Sequence, residues 1–390
     1  MRKRTLFRYL IALLAAGVVA CDRPVTPHAA VGAVGEQVVR LGFAAPLTGP
    51  QAHYGNDMKN GVLLALEEVN AIRPRIGGAA VRFELLAEDD QADPRHATNV
   101  AQKLVDAQIA GMLGHFNSGT SIPASRIYAQ AGIAQIAMAT APGYTAQGFK
   151  TSFRAMTSDT QQGSVLGRYL VGDLGAARIA IIDDRTAYGQ GLADEFAKAV
   201  VGAGARVVRR EFTDDRATDF TGALTAIKSA NPDLLFFGGA DVQAAPMVRQ
   251  MRSLGLAARF AGGEMVKSPK FIALAGGAGE GAMASLAGLP LDRMQGGKAY
   301  AERYRMSYGS AVEVYSPYAY DATMAMIQAM KRADSTEPSR YLPELARTRM
   351  VGVTSPRFAW DARGDLEDGG ITIYRVERGA WVALASLGGA

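Results

Sequence analysis

Short apolar runs alternate with helical stripes along most of this 390-residue chain, and that rhythm predicts its fold. Residues 39–44 form an apolar run of strand length. Met58, Val62, Leu63, Leu66 and Val69 then mark one face of a helix. Val81, Phe83 and Leu85 alternate as a second strand. Asp93-Pro94 opens the next helix, with aspartate at the cap and proline in the first turn. Residues 109–114 and 133–138 predict two more strands, separated by a helix near 121–131. The rhythm resumes with strands at 178–182, 207–210, 234–237 and around Phe260. Helices at about 189–202, 218–230 and 241–254 lie between them. On the first of these, Leu192, Phe196 and Val200 face one way, while Asp194, Glu195 and Lys198 face the other.

Repeated strand–helix alternation means parallel sheets covered on both faces, an α/β fold. About nine such units is wide for a single open sheet. Two lobes are therefore expected, divided near residues 153–159, where the segment is short and carries no helical stripe. The C-terminal pattern changes: Phe358-Trp360 and Ile371-Ile373-Tyr374, around residues 361–370, read as antiparallel β. The glycine-rich piece at 276–281 follows a helical pattern rather than a strand and lacks a Lys-Ser/Thr pair, so it reads as a loop.

The first 21 residues break this rhythm. Arg2, Lys3, Arg4 and Arg8 form a cationic head, and residues 9–20 are an apolar run too short to span a bilayer core of about 30 Å. This is the layout of an export signal. Val18-Val19-Ala20-Cys21 looks like a bacterial lipobox, and Cys21 is the only cysteine, so no internal disulfide can form. We expect a signal peptide at 1–20, lipidation at Cys21 and a flexible tether at 21–37; simple cleavage nearby is the alternative. Fully extended, the tether reaches ~50 Å. Without the four basic residues of the head, 38 basic residues face 37 acidic ones. That near-neutral balance gives no electrostatic footprint for nucleic acid.

Catalytic signatures are missing from the sequence. Histidines 28, 53, 96 and 115 have no metal-ligand spacing, and there is no G-x-S-x-G elbow or Walker A motif. Asp89-Asp90 at a strand end reads as a solvated, cap-forming loop rather than as half of an acid–base pair. What remains are polar loops after strands, where open α/β sheets bind ligands. These are Pro46-Leu47-Thr48-Gly49-Pro50 with His53-Tyr54-Gly55, the run from Gly114-His115 to Thr120-Ser121, and Ala139-Thr140-Ala141-Pro142. Hydroxyls beside free amide N–H groups suit a small carboxylate, although each would serve equally as a helix cap.

At these residues the chain resembles the type I periplasmic binding proteins of ABC importers, specifically the branched-chain amino acid (Leu/Ile/Val) group, over about residues 38–384. Further markers are Asp183 with Tyr188-Gly189-Gln190-Gly191, Phe237-Gly238-Gly239, and Trp360-Asp361 with Gly364-Asp365. The resemblance implies two Rossmann-like lobes joined by three crossover strands near Met156, Leu289 and Glu367. Lobe 1 would hold residues 38–155 plus 289–366, and lobe 2 residues 156–288 plus 367–390. It also implies the site. Ser118 and Thr140 would hold a ligand carboxylate, with Ala139 in the same loop. Met138 would offer its carbonyl, and Glu264 its carboxylate, to the ammonium. Tyr54 and Tyr188 would wall the side chain. Ala240 stands where branched-chain binders commonly carry a tyrosine, and Met138 where a small residue is usual. Ala92 and Asn117 occupy the positions of a cysteine pair found in some members.

The expectation is thus an extracytoplasmic, lipid-anchored, monomeric receptor that captures an amino acid-like solute and hands it to an ABC permease and ATPase. It needs no cofactor, metal or nucleic acid and performs no reaction. The alternative is a ligand-sensing domain for amides or similar compounds, without direct transport.

Overall fold

The computed structural model describes residues 36–367 and 369–388. The expected signal peptide, Cys21 and the tether up to residue 35 lie outside the described residues. The first part of the chain runs β1 (Gln37–Ala45), α1 (Ala52–Ala71), β2 (Arg75–Ile76), β3 (Ala79–Asp89), α2 (Pro94–Asp106), β4 (Gly111–Gly114), α3 (Ser118–Gln130), β5 (Gln135–Ala137), α4 (Gly143–Ala146) and β6 (Ser152–Arg154). The middle runs α5 (Asp159–Gly172), β7 (Arg178–Asp183), α6 (Ala187–Gly202), β8 (Arg206–Phe212), α7 (Thr221–Ser229), β9 (Leu234–Gly238), α8 (Asp241–Ser253), β10 (Arg259–Gly262), α9 (Pro269–Ala275) and β11 (Met283–Ala287). Then come α10 (Gly297–Tyr308), α11 (Ser316–Arg332), α12 (Pro338–Ala346), β12 (Arg349–Met350), β13 (Phe358–Ala359), β14 (Ile371–Glu377) and β15 (Ala380–Leu387).

Two sheets carry the fold. The first has the order β2-β3-β1-β4-β5-β6 and is parallel except for the β2–β3 pair. The second has the order β15-β14-β11-β10-β9-β7-β8, parallel from β11 to β8, with β14 and β15 antiparallel at one edge. The α/β expectation is therefore met. Continuous apolar runs such as Leu234–Gly238 and Gly111–Gly114 are buried at every position, as strands covered on both faces must be.

The chain crosses between the sheets after β6, after β11 and again before β14, and these connections lie side by side. Thr157 donates its hydroxyl to the Gly370 carbonyl at 3.2 Å, and Gly288 donates its N–H to the same carbonyl at 2.7 Å. Gly369 is required there, because a Cβ would come within 2.4 Å of the Thr157 hydroxyl. After β11 the chain returns to the first sheet's helices. The carboxylate of Asp57 on α1 accepts the N–H groups of Val314, Tyr315 and Ser316 at the start of α11.

Local signals hold where the chemistry is local. Asp93 caps α2 by accepting the N–H groups of Arg95 and His96 at 2.8 and 3.0 Å. Asp89 likewise accepts from Leu47 and Gln91. The solvated reading fails for Asp90, which is fully buried and paired with His115 Nδ1 at 2.7 Å. Residues 276–281 contain a single helical turn, Gly276–Gly279. Among the described residues, no helix is long and apolar enough to cross a membrane.

Candidate functional site

Both sheets place their switch points at the ends that carry the polar loops. In the first, β1 lies between β3 and β4, so the loops after β1 and β4 diverge and leave a crevice. In the second, β7 lies between β8 and β9, with the same effect. Every expected site residue sits just beyond the carboxyl end of a strand or within the helix that follows it. Tyr54 follows β1, Ser118 follows β4, and Met138, Ala139 and Thr140 follow β5. Tyr188 follows β7, Ala240 follows β9 and Glu264 follows β10.

The structure brings these residues together. Thr140 donates its hydroxyl to Glu264 Oε1 at 3.4 Å, joining a loop of the first sheet to a loop of the second. Tyr54 donates its hydroxyl to the carbonyl of Met265, next to Glu264. Ser118 accepts the N–H of Ala141 at 3.1 Å, which fixes the loop carrying Thr140. Met138 is buried and donates its N–H to the His115 carbonyl at 3.1 Å. The Ala139 carbonyl accepts from Arg154, whose guanidinium also reaches Ala141, Thr145 and Asp365. Ala240, buried, precedes the first residue of α8. Tyr188 is buried with its hydroxyl unpartnered among the described residues. It packs where Gly263 leaves room, since a Cβ there would lie 2.3 Å from that hydroxyl.

Several residues at the centre escaped the sequence reading. Asp159, the first residue of α5, is fully buried, and neither of its carboxylate oxygens finds a hydrogen-bond partner among the described residues. Burial first, and then the charge of Glu264, push its carboxyl well above the usual carboxylate range. Burial also raises Glu264, against the opposing bonds from Gln162 and Thr140. Gln162 holds the Glu264 carboxylate from α5. Tyr315 and Phe116 stack edge to face at 4.7 Å beside Tyr54. In sequence, Asp159 looks like any acid in a first helical turn, and Gln162 like a polar neighbour of Gln161, which completes the capping box with Ser158.

Two buried carboxylates, Asp159 and Glu264, lie beside the Thr140 hydroxyl, an arrangement that favours a cation. Among the described residues, no group of three or more His, Cys, Asp or Glu could hold a metal ion. The cluster is closed over: Tyr54, Tyr188, Thr140, Ala240 and Glu264 are each at most 4% exposed. A surface hollow of about 500 Å³, lined by Arg126, Gln130, Gln147 and Phe149, shares no residue with it.

A family model described as periplasmic binding protein matches residues 38–380. The Leu/Ile/Val-binding protein homolog 1 of Brucella abortus is 34% identical over 346 residues, covering 88% of this chain and 91% of the relative. A leucine-, isoleucine-, valine-, threonine- and alanine-binding protein of Pseudomonas aeruginosa is 30% identical, covering 88% and 91%. The solved leucine binding protein LivK of Thermotoga maritima superposes with a TM-score of 0.83 at 25% identity, covering 90% of this chain and 98% of that one.

Proposed function

This chain belongs to the periplasmic binding protein family, solute-binding proteins of ABC importers rather than enzymes, and we propose that it captures an α-amino acid between two lobes and delivers it to a permease and ATPase. The family works outside the cytoplasm. The ligand is an amino acid; relatives are named for binding leucine, isoleucine and valine, and one of them also for threonine and alanine.

The observation that carries this reading is the meeting of Thr140 and Glu264 at 3.4 Å. A zwitterion loses hydration at both ends when a cleft closes, so both ends need charge-assisted partners. Ser118 and Thr140 serve the carboxylate from residues 38–155 plus 289–366. Glu264, with Asp159 behind it, serves the ammonium from residues 156–288 plus 367–390. The grip is complete only when the lobes close, so the ligand shifts the open–closed balance by its differential contacts. The side-by-side crossovers at Thr157, Gly288 and Gly370 would act as the hinge. Lipidation at Cys21 would anchor this receptor to a membrane.

Calorimetric titration with L-amino acids tests the grip. Glu264→Ala should cost about 2–5 kcal/mol of affinity. An unchanged dissociation constant would remove Glu264, and with it this reading. Mass spectrometry of the mature N-terminus tests the anchor: an unlipidated terminus disproves it.

A further inference from the structure

The site has a second polar pole that a purely aliphatic side chain would not match. Asp241, the first residue of α8, is fully buried. Its Oδ2 accepts from His53 Nε2 at 2.9 Å and from the Ser268 hydroxyl at 2.5 Å, while Oδ1 has no partner among the described residues. His53 Nδ1 is likewise buried and unpartnered. The imidazole lies against the Tyr54 ring, 3.8 Å between centroids, and Tyr54 is 5.4 Å from Tyr315. The Tyr315 hydroxyl is also buried without a partner, and this tyrosine feels the charges of both Glu264 and Asp241. Glu313, with a buried unpartnered Oε2, lies within electrostatic reach of His53 and Asp241.

We propose that Asp241 and His53 form a specificity subsite for an amino acid whose side chain ends in an N–H donor: an amide, an ammonium or a guanidinium. This rests on the zwitterion grip proposed above and narrows its ligand class. A side chain leaving that grip passes the aromatic wall of Tyr54 and Tyr315 and arrives at the carboxylate and imidazole. Ala240, next to Asp241, adds only a methyl group to this wall. With Nε2–H donating to Asp241, His53 Nδ1 is an acceptor, and so is Asp241 Oδ1. Each of these acceptors is matched by an N–H donor on the ligand side chain. Leucine would leave both desolvated and unpaired, the costly arrangement for buried polar atoms.

The test is calorimetric titration of the purified protein with L-glutamine, L-lysine and L-arginine against L-leucine, L-isoleucine and L-valine. At least one donor-ended ligand should bind at least about tenfold more tightly than leucine. Asp241→Asn keeps the shape, and with His53→Gln it should collapse that ratio while leucine affinity holds or rises. Equal or tighter binding of the aliphatic ligands by the unmodified protein overturns the proposal whatever the variants do. So does a ratio that Asp241→Asn leaves unchanged. Failure of the underlying reading looks different: no α-amino acid binds at all, or Glu264→Ala weakens none of them.

Discussion

Gln162 and Glu264 hold each other twice. The Gln162 side-chain N–H donates to Glu264 Oε2, and its carbonyl oxygen accepts the Glu264 backbone N–H at 3.1 Å. Ser285 on β11 donates its hydroxyl to that same carbonyl oxygen at 2.6 Å. The carboxylate expected to meet a ligand ammonium is thus oriented by a residue 102 positions away. Gln162→Leu would keep the bulk and strip all three bonds. Leaving these buried groups unsatisfied should cost about 1–3 kcal/mol in stability, with a comparable loss of ligand affinity. Paired melting and titration experiments check both. Unchanged affinity in the folded variant would mean that Glu264 needs no such support.

The Asp159–Glu264 pair predicts proton release on binding. Burial raises both carboxyls, and the charge of Glu264 raises Asp159 further. The ligand-free pair therefore keeps a proton at pH values where free carboxylic acids have lost theirs. An arriving ammonium stabilises both charges and expels that proton. Affinity should then rise with pH until the pair ionises unaided, with up to about one proton released per ligand. Titration calorimetry in two buffers of different ionisation enthalpy counts that proton. Asp159→Asn should abolish the release; if it persists undiminished, the proton comes from elsewhere.

Arg154 is the internal staple of the Thr140 loop. Its fully buried guanidinium donates to Asp365 Oδ1 at 2.9 Å, to the Ala141 carbonyl and Thr145 hydroxyl at 3.1 Å each, and to the Ala139 carbonyl. A lysine ammonium cannot span that planar set of acceptors. Arg154→Lys should therefore lower stability, and Arg154→Met, which strips the donor from the buried Ala139 and Ala141 carbonyls, should cost more, about 1–3 kcal/mol or above. Denaturant unfolding measures both. A lysine variant within about 0.5 kcal/mol of the parent would show the staple to be dispensable.

These residues mark the boundary of what the chain reveals before folding. Strands β1, β7 and β9 and helices α6 and α8 were legible because their apolar spacing is strong and local. The short β6, recognisable only through its pairing with β5, and helices α10 to α12 were not: tyrosines of these helices bond to Asp57, Glu68 and Ala110, far away in sequence. The site divides in the same way. Ser118, Thr140 and Glu264 sit in loops whose motifs carry a resemblance. Asp159, Gln162 and Arg154 matter only because crossing chains bury them against those loops. Ala240 was visible as a departure, but the pairing of its neighbour Asp241 with His53, 188 positions away, needed the fold.

Asp321 and Asp184 should make stability fall as pH rises through the mildly acidic range. Asp321 is buried and accepts the N–H groups of Val353 and Thr354 at 2.8 and 2.7 Å and the Thr354 hydroxyl at 2.6 Å. Burial outweighs those bonds and pushes its carboxyl up to about 6. Asp184, held by the N–H and hydroxyl of Thr186, is also pushed up to about 6 by burial. Both groups keep a proton in the folded state that the unfolded chain gives up near its ordinary value of 3.8. Their contribution is complete below that value and is lost as pH climbs past about 6, because the unfolded state binds fewer protons throughout the window. The loss is on the order of 2–3 kcal/mol per group. Asp321→Asn removes one titration while preserving an acceptor for Val353 or Thr354. The stability of the parent relative to this variant should decline between about pH 4 and pH 6 and then level off. Urea unfolding across that range decides it, and a difference independent of pH would mean that Asp321 stays ionised inside the fold.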